Sequence, residues 1–133
     1  MMTVDFAKKV FLADALVCAL TFVGCVFATQ AIAADTGLGT GIVAAAGWIC
    51  LGAAAIWAWL GTRAQPPVLI CWLAIFLNID WIIASIVVFE LNYASLTAYG
   101  RTIILAQAAG VLGFVVLQIL GVRAIGRQRL AAA

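Results

Sequence analysis

An all-α fold, a four-helix up-and-down transmembrane bundle with both termini cytoplasmic, is predicted by three observations. First, 68% of the 133 residues are hydrophobic and only 9% are charged, with a mean hydropathy of +1.25. A soluble domain carries about 25% charged residues, so this chain has too few charges to cover a water-facing surface. Second, the apolar residues fall into four runs, each near the ~20 residues needed to cross ~30 Å of hydrocarbon. Third, short polar links with glycine or proline join the runs, as suits antiparallel neighbours in a bundle. Residues 1–133 form one domain.

The first span is expected at about 10–33, after a short polar start with Asp5, Lys8 and Lys9. Its lysines, apolar stretch and Ala31-Ile32-Ala33 partly match a secretory signal, but the run is longer than a signal core and reads as an uncleaved span. Asp35 to Gly41 is a glycine-rich turn, and the second span follows at about 40–60. Gly61 to Pro67 is a tight loop ending in two prolines, which suit a helix start because their missing N–H groups cost little there. The third span is expected at about 67–91, the polar and aromatic link Asn92 to Gly100 follows, and the fourth span is expected at about 102–122. The tail from Arg123 carries three arginines.

Charge sets the expected orientation. Lys8, Lys9, Arg63, Arg123, Arg127 and Arg129 fall on one side, and only Arg101 falls on the other. The positive-inside rule then makes both termini and the central loop cytoplasmic. The net charge of +2 is too small to argue for nucleic acid. The chain has no histidine, which removes the commonest metal and haem ligand and the commonest general base. Cys18, Cys25, Cys50 and Cys71 sit in apolar runs with no CxxC pair, so neither a disulfide framework nor a zinc site is expected. No metal, cofactor or enzymatic activity is expected.

The polar residues inside the spans are the candidate sites. Asp14, Cys18, Thr21 and Cys25 share one face of the first helix. Gln107 and Gln118 lie three turns apart on one face of the fourth, and Gln118 lies at a depth similar to Asp14, so a hydrogen bond between these two is geometrically possible. In the third, Asn78 and Asp80 project about 160° apart, so both cannot enter the core of one small bundle. Ala74, Asn78, Trp81 and Ser85 form one face, and Asp80 goes with Phe76, Ala84 and Val87 on the other. A charged aspartate at mid-bilayer costs about 2.5–3.5 kcal/mol or more. No lysine or arginine lies at the depth of Asp80, so it is protonated or partnered by another subunit. Gly41, Ala45, Trp48, Gly52, Ala55 and Trp59 make a small-and-aromatic seam on the second helix, and Gly110 and Gly113 lie on the fourth. Gly41, Gly52, Gly110 and Gly113 are the expected helix-packing positions, because small residues let helices approach closely in lipid.

Four strings carry a likeness. They are Leu12-Ala13-Asp14-Ala15-Leu16, Asn78-Ile79-Asp80-Trp81-Ile82-Ile83-Ala84-Ser85, Leu96-Thr97-Ala98-Tyr99-Gly100-Arg101, and Leu117-Gln118-Ile119-Leu120-Gly121-Val122-Arg123. In this order they resemble a group of small bacterial four-span integral membrane proteins of unassigned function. The resemblance covers most of the chain and implies a bacterial inner-membrane location and an architecture rather than an activity. A fold-level likeness to small multidrug-resistance transporters rests on Asp14, an acidic residue in the first of four short spans. Those proteins use a glutamate in an Ala-x-x-x-Glu-type context, with later aromatic and glycine motifs that are not found here, and such a likeness does not establish function.

Two uses follow as expectations. One is a non-catalytic accessory or assembly subunit of a larger membrane complex, with the lipid bilayer and other membrane subunits, or a second copy, as partners. The alternative is a small homo-oligomeric proton-coupled transporter that uses Asp14 or Asp80.

Overall fold

Capping and hydroxyl chemistry divide the chain into five helices. The computed structural model describes residues 3–133. Its helices are α1 (Val4–Phe27), α2 (Thr29–Thr36), α3 (Thr40–Thr62), α4 (Val68–Asn92) and α5 (Ala98–Ala132). There is no strand among the described residues. The helices α1, α3, α4 and α5 are each long and apolar enough to cross a membrane.

The Thr3 side chain caps α1 by accepting from the Phe6 N–H at 3.2 Å, which satisfies one of the free donors of the first turn. The helix therefore starts six residues before the expected span, with both lysines inside it. It breaks at Ala28 (φ −122°, ψ 34°), so the expected run 10–33 is two helices. Thr29 stands directly after the break, and its Oγ1 donates to the carbonyls of Cys25 at 2.6 Å and Val26 at 3.0 Å. A hydroxyl bonded back to the preceding turn bends a helix. Gly37 ends α2 at φ 80°, a left-handed conformation that costs glycine least. The expected glycine-rich turn thus shrinks to Gly37–Gly39, with Asp35 and Thr36 in α2 and Thr40 and Gly41 in α3. Helix α4 lies within a residue of its expected span. Helix α5 runs 35 residues, or about 52 Å at 1.5 Å per residue. It starts before the expected residue 102 and continues the tail as helix well past 122, beyond what ~30 Å of hydrocarbon requires.

Lipid tails are as apolar as leucine, so close approach and interhelical hydrogen bonds hold such helices together. The close approaches use glycines on the inner faces. A Cβ on Gly61 would lie 2.5 Å from Leu12 Cγ, one on Gly47 would lie 2.9 Å from the Cys25 Cβ, and one on Gly121 would lie 2.8 Å from the Ala7 Cβ. Helix α1 is thereby wedged between α3 and α5, while α4 packs mainly on α5 and only lightly on α3. Phe11, Trp57, Leu60, Cys71, Ile75, Val115 and Val122 form the apolar core.

The glycines expected to pack lie elsewhere. Gly41, Gly52, Gly110 and Gly113 are exposed, and a Cβ on any of them meets nothing within 4 Å. The whole α3 seam from Gly41 to Trp59 faces outward. Val43, Gly47, Cys50, Ala54, Trp57 and Gly61 face inward instead.

Both ends of the bundle are tied. At the end that carries the chain termini, the Arg129 Nη2 donates to the Pro66 carbonyl at 2.9 Å. At the other end, the Thr97 N–H donates to the Thr36 carbonyl at 3.0 Å, and the Thr97 Oγ1 donates to the Asp35 carbonyl at 2.6 Å. Gly100 lets the first turn of α5 sit directly against Thr36.

Candidate functional site

One carboxylate oxygen collects a donor from each of three other helices. Asp14, on the inner face of α1, is 2% exposed. Its Oδ2 accepts from Trp57 Nε1 of α3 at 2.5 Å, Gln118 Nε2 of α5 at 2.7 Å and Asn78 Nδ2 of α4 at 2.8 Å. The Asn78 Nδ2 also donates to the Gln118 Oε1 at 3.0 Å. Cys18, one turn along α1, donates its thiol to Oδ1 at 3.7 Å. Trp57 and Gln118 are 1% and 0% exposed.

The local sequence explains each position. Asp14 follows Ala7, Val10 and Phe11 on the buried side of α1. Trp57 sits on the inner stripe of α3, one turn before Gly61 brings that helix against Leu12. Asn78 is one turn past the fully buried Ala74 on α4. Gln118 lies one turn before Gly121, where α5 approaches Ala7. Small residues thus bring the backbones close enough for short side chains to meet.

Three N–H groups aimed at one oxygen in a water-poor interior are the arrangement that stabilises negative charge on that oxygen. They also satisfy groups that would each cost several kcal/mol if left bare in hydrocarbon. The Asp14–Gln118 hydrogen bond that helix geometry allows is present. Trp57 is the member that sequence reasoning missed. Its indole N–H needs an acceptor when buried, and that requirement is the one signal that could have singled it out.

A second belt joins α4 and α5 nearer the Thr97 end. The Trp81 Nε1 donates to the Gln107 Oε1 at 2.8 Å, and the Gln107 Nε2 donates to the Ser85 Oγ at 2.9 Å. The Ser85 Oγ donates in turn to the Trp81 carbonyl at 2.7 Å. Asn78, Trp81 and Ser85 therefore share the inward face of α4, with Asn78 in the first belt and the other two in the second.

Asp80 belongs to neither belt. It is exposed, and no side-chain hydrogen bond or ion pair reaches it among the described residues. It stands midway along α4, about 18 Å from either end. Phe76 and Val87, on the same face, are 61% and 49% exposed. The expected opposition of Asn78 and Asp80 is realised as one inside and one outside.

Arg101 stacks 3.8 Å over the Tyr93 ring and donates from Nη2 to the Tyr93 carbonyl at 2.9 Å. Arg63 lies 4.3 Å over Trp59. Two shallow, open depressions lie at the terminal end, one beside Asp5 and Arg129 and one beside Lys8 and Gly61. Neither is lined by Asp14. No cluster of three or more histidine, cysteine, aspartate or glutamate residues is placed to hold a metal among the described residues. Comparisons with protein-family models, curated proteins and solved structures found no match.

Proposed function

We propose that this chain is a non-catalytic subunit that assembles with another protein inside the membrane. The observation that carries the reading is the contrast between Asp80 and the other polar residues of the spans. Asp14, Asn78 and Gln118 bond one another and Gln107 bonds Trp81 and Ser85, whereas Asp80 faces outward from the centre of α4 with no such partner among the described residues. A carboxyl in that position is expensive against lipid and is relieved by a protein neighbour. The carrier alternative draws less support, because Asp14 is enclosed by donors and neither terminal depression reaches it.

Purification of the tagged chain in mild detergent, with mass spectrometry of its companions, tests the reading. A stoichiometric set of other membrane chains is expected. A chain that comes out alone, or only with copies of itself, contradicts it and favours the carrier.

In the same proposal the bundle runs up and down through a bacterial inner membrane with both termini cytoplasmic. Support comes from the terminal end, where α1, the α3–α4 loop and the C-terminal half of α5 meet and bring six of the seven basic residues together. A fluorescent protein fused after Ala133 should glow, and alkaline phosphatase inserted at Ser95 should be active. The reverse pattern would invert the topology.

A further inference from the structure

The outward face of α4 carries one acidic group at mid-span and nothing to neutralise it. Around Asp80 the exposed residues Leu73, Phe76, Ile83 and Val87 form an apolar strip, with Ala84 one turn along on the same face. An aspartate has a single methylene between backbone and carboxyl, so from mid-span it cannot reach an interface about 15 Å away across half of the hydrocarbon core. Water therefore cannot supply the compensation, and neither can this chain. Every lysine and arginine lies near a span end, and the nearby Trp81, Ser85 and Gln107 are bonded to one another. A second copy in parallel orientation would bring only another Asp80 to this depth, so it opposes one acid with a second.

We propose that the α4 face centred on Asp80 docks a membrane-spanning helix of a different protein that carries a lysine or arginine at mid-span. This rests on the assembly reading above and adds the chemistry of the partner. Two opposite charges that meet at the bilayer centre remove the cost each bears alone, and pairing of this kind is how intramembrane charges are usually accommodated. The small side chain of Ala84 beside Asp80 leaves room for the long stem of a basic residue to lie along α4, while Phe76 and Val87 bracket the contact.

The test uses the full chain, labelled at its C-terminus, in phosphatidylcholine vesicles. The probes are labelled synthetic helices of ~20 leucines and alanines, with either arginine or leucine at the central position. Energy transfer should show the arginine helix binding about tenfold or more tightly than the leucine helix. Asp80→Leu should erase that preference, and Asp80→Glu should keep it. Circular dichroism should show both variants folded, since the position faces lipid. Equal binding of the two helices to the unmodified chain overturns the proposal. Energy transfer between two copies of the chain that disappears in Asp80→Leu also overturns it, by making a second copy the occupant. A native complex that survives Asp80→Leu sinks this proposal and leaves the assembly reading standing. A chain that purifies alone from its own membrane, yet prefers the arginine helix, sinks the assembly reading and leaves the chemistry of the face intact.

Discussion

Asp14→Ala is expected to destabilise the bundle strongly. It removes the acceptor shared by the Trp57, Asn78 and Gln118 donors and leaves those donors in an interior with no water to take them. Single interhelical hydrogen bonds in lipid average about 0.6 kcal/mol and reach about 1.7. Buried donors stripped of their acceptor cost about 1–3 kcal/mol each before relaxation. The bond from Asn78 to the Gln118 Oε1 survives and softens the loss. A total of roughly 2–5 kcal/mol follows. Asp14→Asn should fall between the alanine variant and the native chain, because its carbonyl keeps an acceptor while its new NH₂ confronts existing donors. Unfolding in mixed detergent micelles, followed by tryptophan fluorescence, measures both. An alanine variant within about 0.5 kcal/mol of the native chain would mean that packing alone holds the helices.

Gly100→Ala should be nearly as damaging, for a different reason. The added Cβ would lie 2.0 Å from the Thr36 carbonyl oxygen and 2.8 Å from its carbon. Both are backbone atoms, so no side chain can swing aside. The α4–α5 turn must lift away from α2, which strains the Thr97 N–H bond to the same oxygen and the Thr97 hydroxyl bond to Asp35. Overpacking of this kind costs about 1–3 kcal/mol. Gly110→Ala is the control, since nothing lies within 4 Å of its Cβ. Alanine's better helix propensity should leave that variant neutral or up to about 1 kcal/mol more stable. The same unfolding assay should therefore separate two glycines on one helix. Equal effects at the two positions would contradict the close approach at Gly100.

The span count was legible because four apolar runs leave no other fold for the backbone. The inner face of α4 was legible because Asn78 is a polar group that hydrocarbon penalises and turn geometry separates it from Asp80; on α5 the polar Gln107 and Gln118 marked the inside, but the small Gly110 and Gly113 did not. Helix α3 was not legible. Its inner positions 43, 47, 50, 54, 57 and 61 and its outer positions 41, 45, 48, 52, 55 and 59 have the same alternating spacing, offset by two residues. Each stripe holds glycine, alanine and tryptophan. Periodicity cannot choose between two equivalent stripes, and the choice falls to a partner on another helix, the Asp14 carboxylate. The break at Ala28 escaped because a threonine bonded back to the preceding turn occurs both at a break, as Thr29, and inside an unbroken stretch, as Thr21. The cap at Thr3 escaped because an apolar run marks where hydrocarbon begins, not where a helix does.

The shared oxygen of Asp14 has a consequence for how the protein is made. The ribosome delivers the aspartate first and the glutamine that completes its surroundings last, more than a hundred residues later. Until α5 enters the membrane, the carboxylate lacks one of its donors, and so does the amide of Asn78 its second acceptor. Chains that stop short of α5 therefore hold an acid beside apolar neighbours with one of its three donors missing. Completion of this bundle is in this sense registered at a single atom, the oxygen that α5 reaches through Gln118.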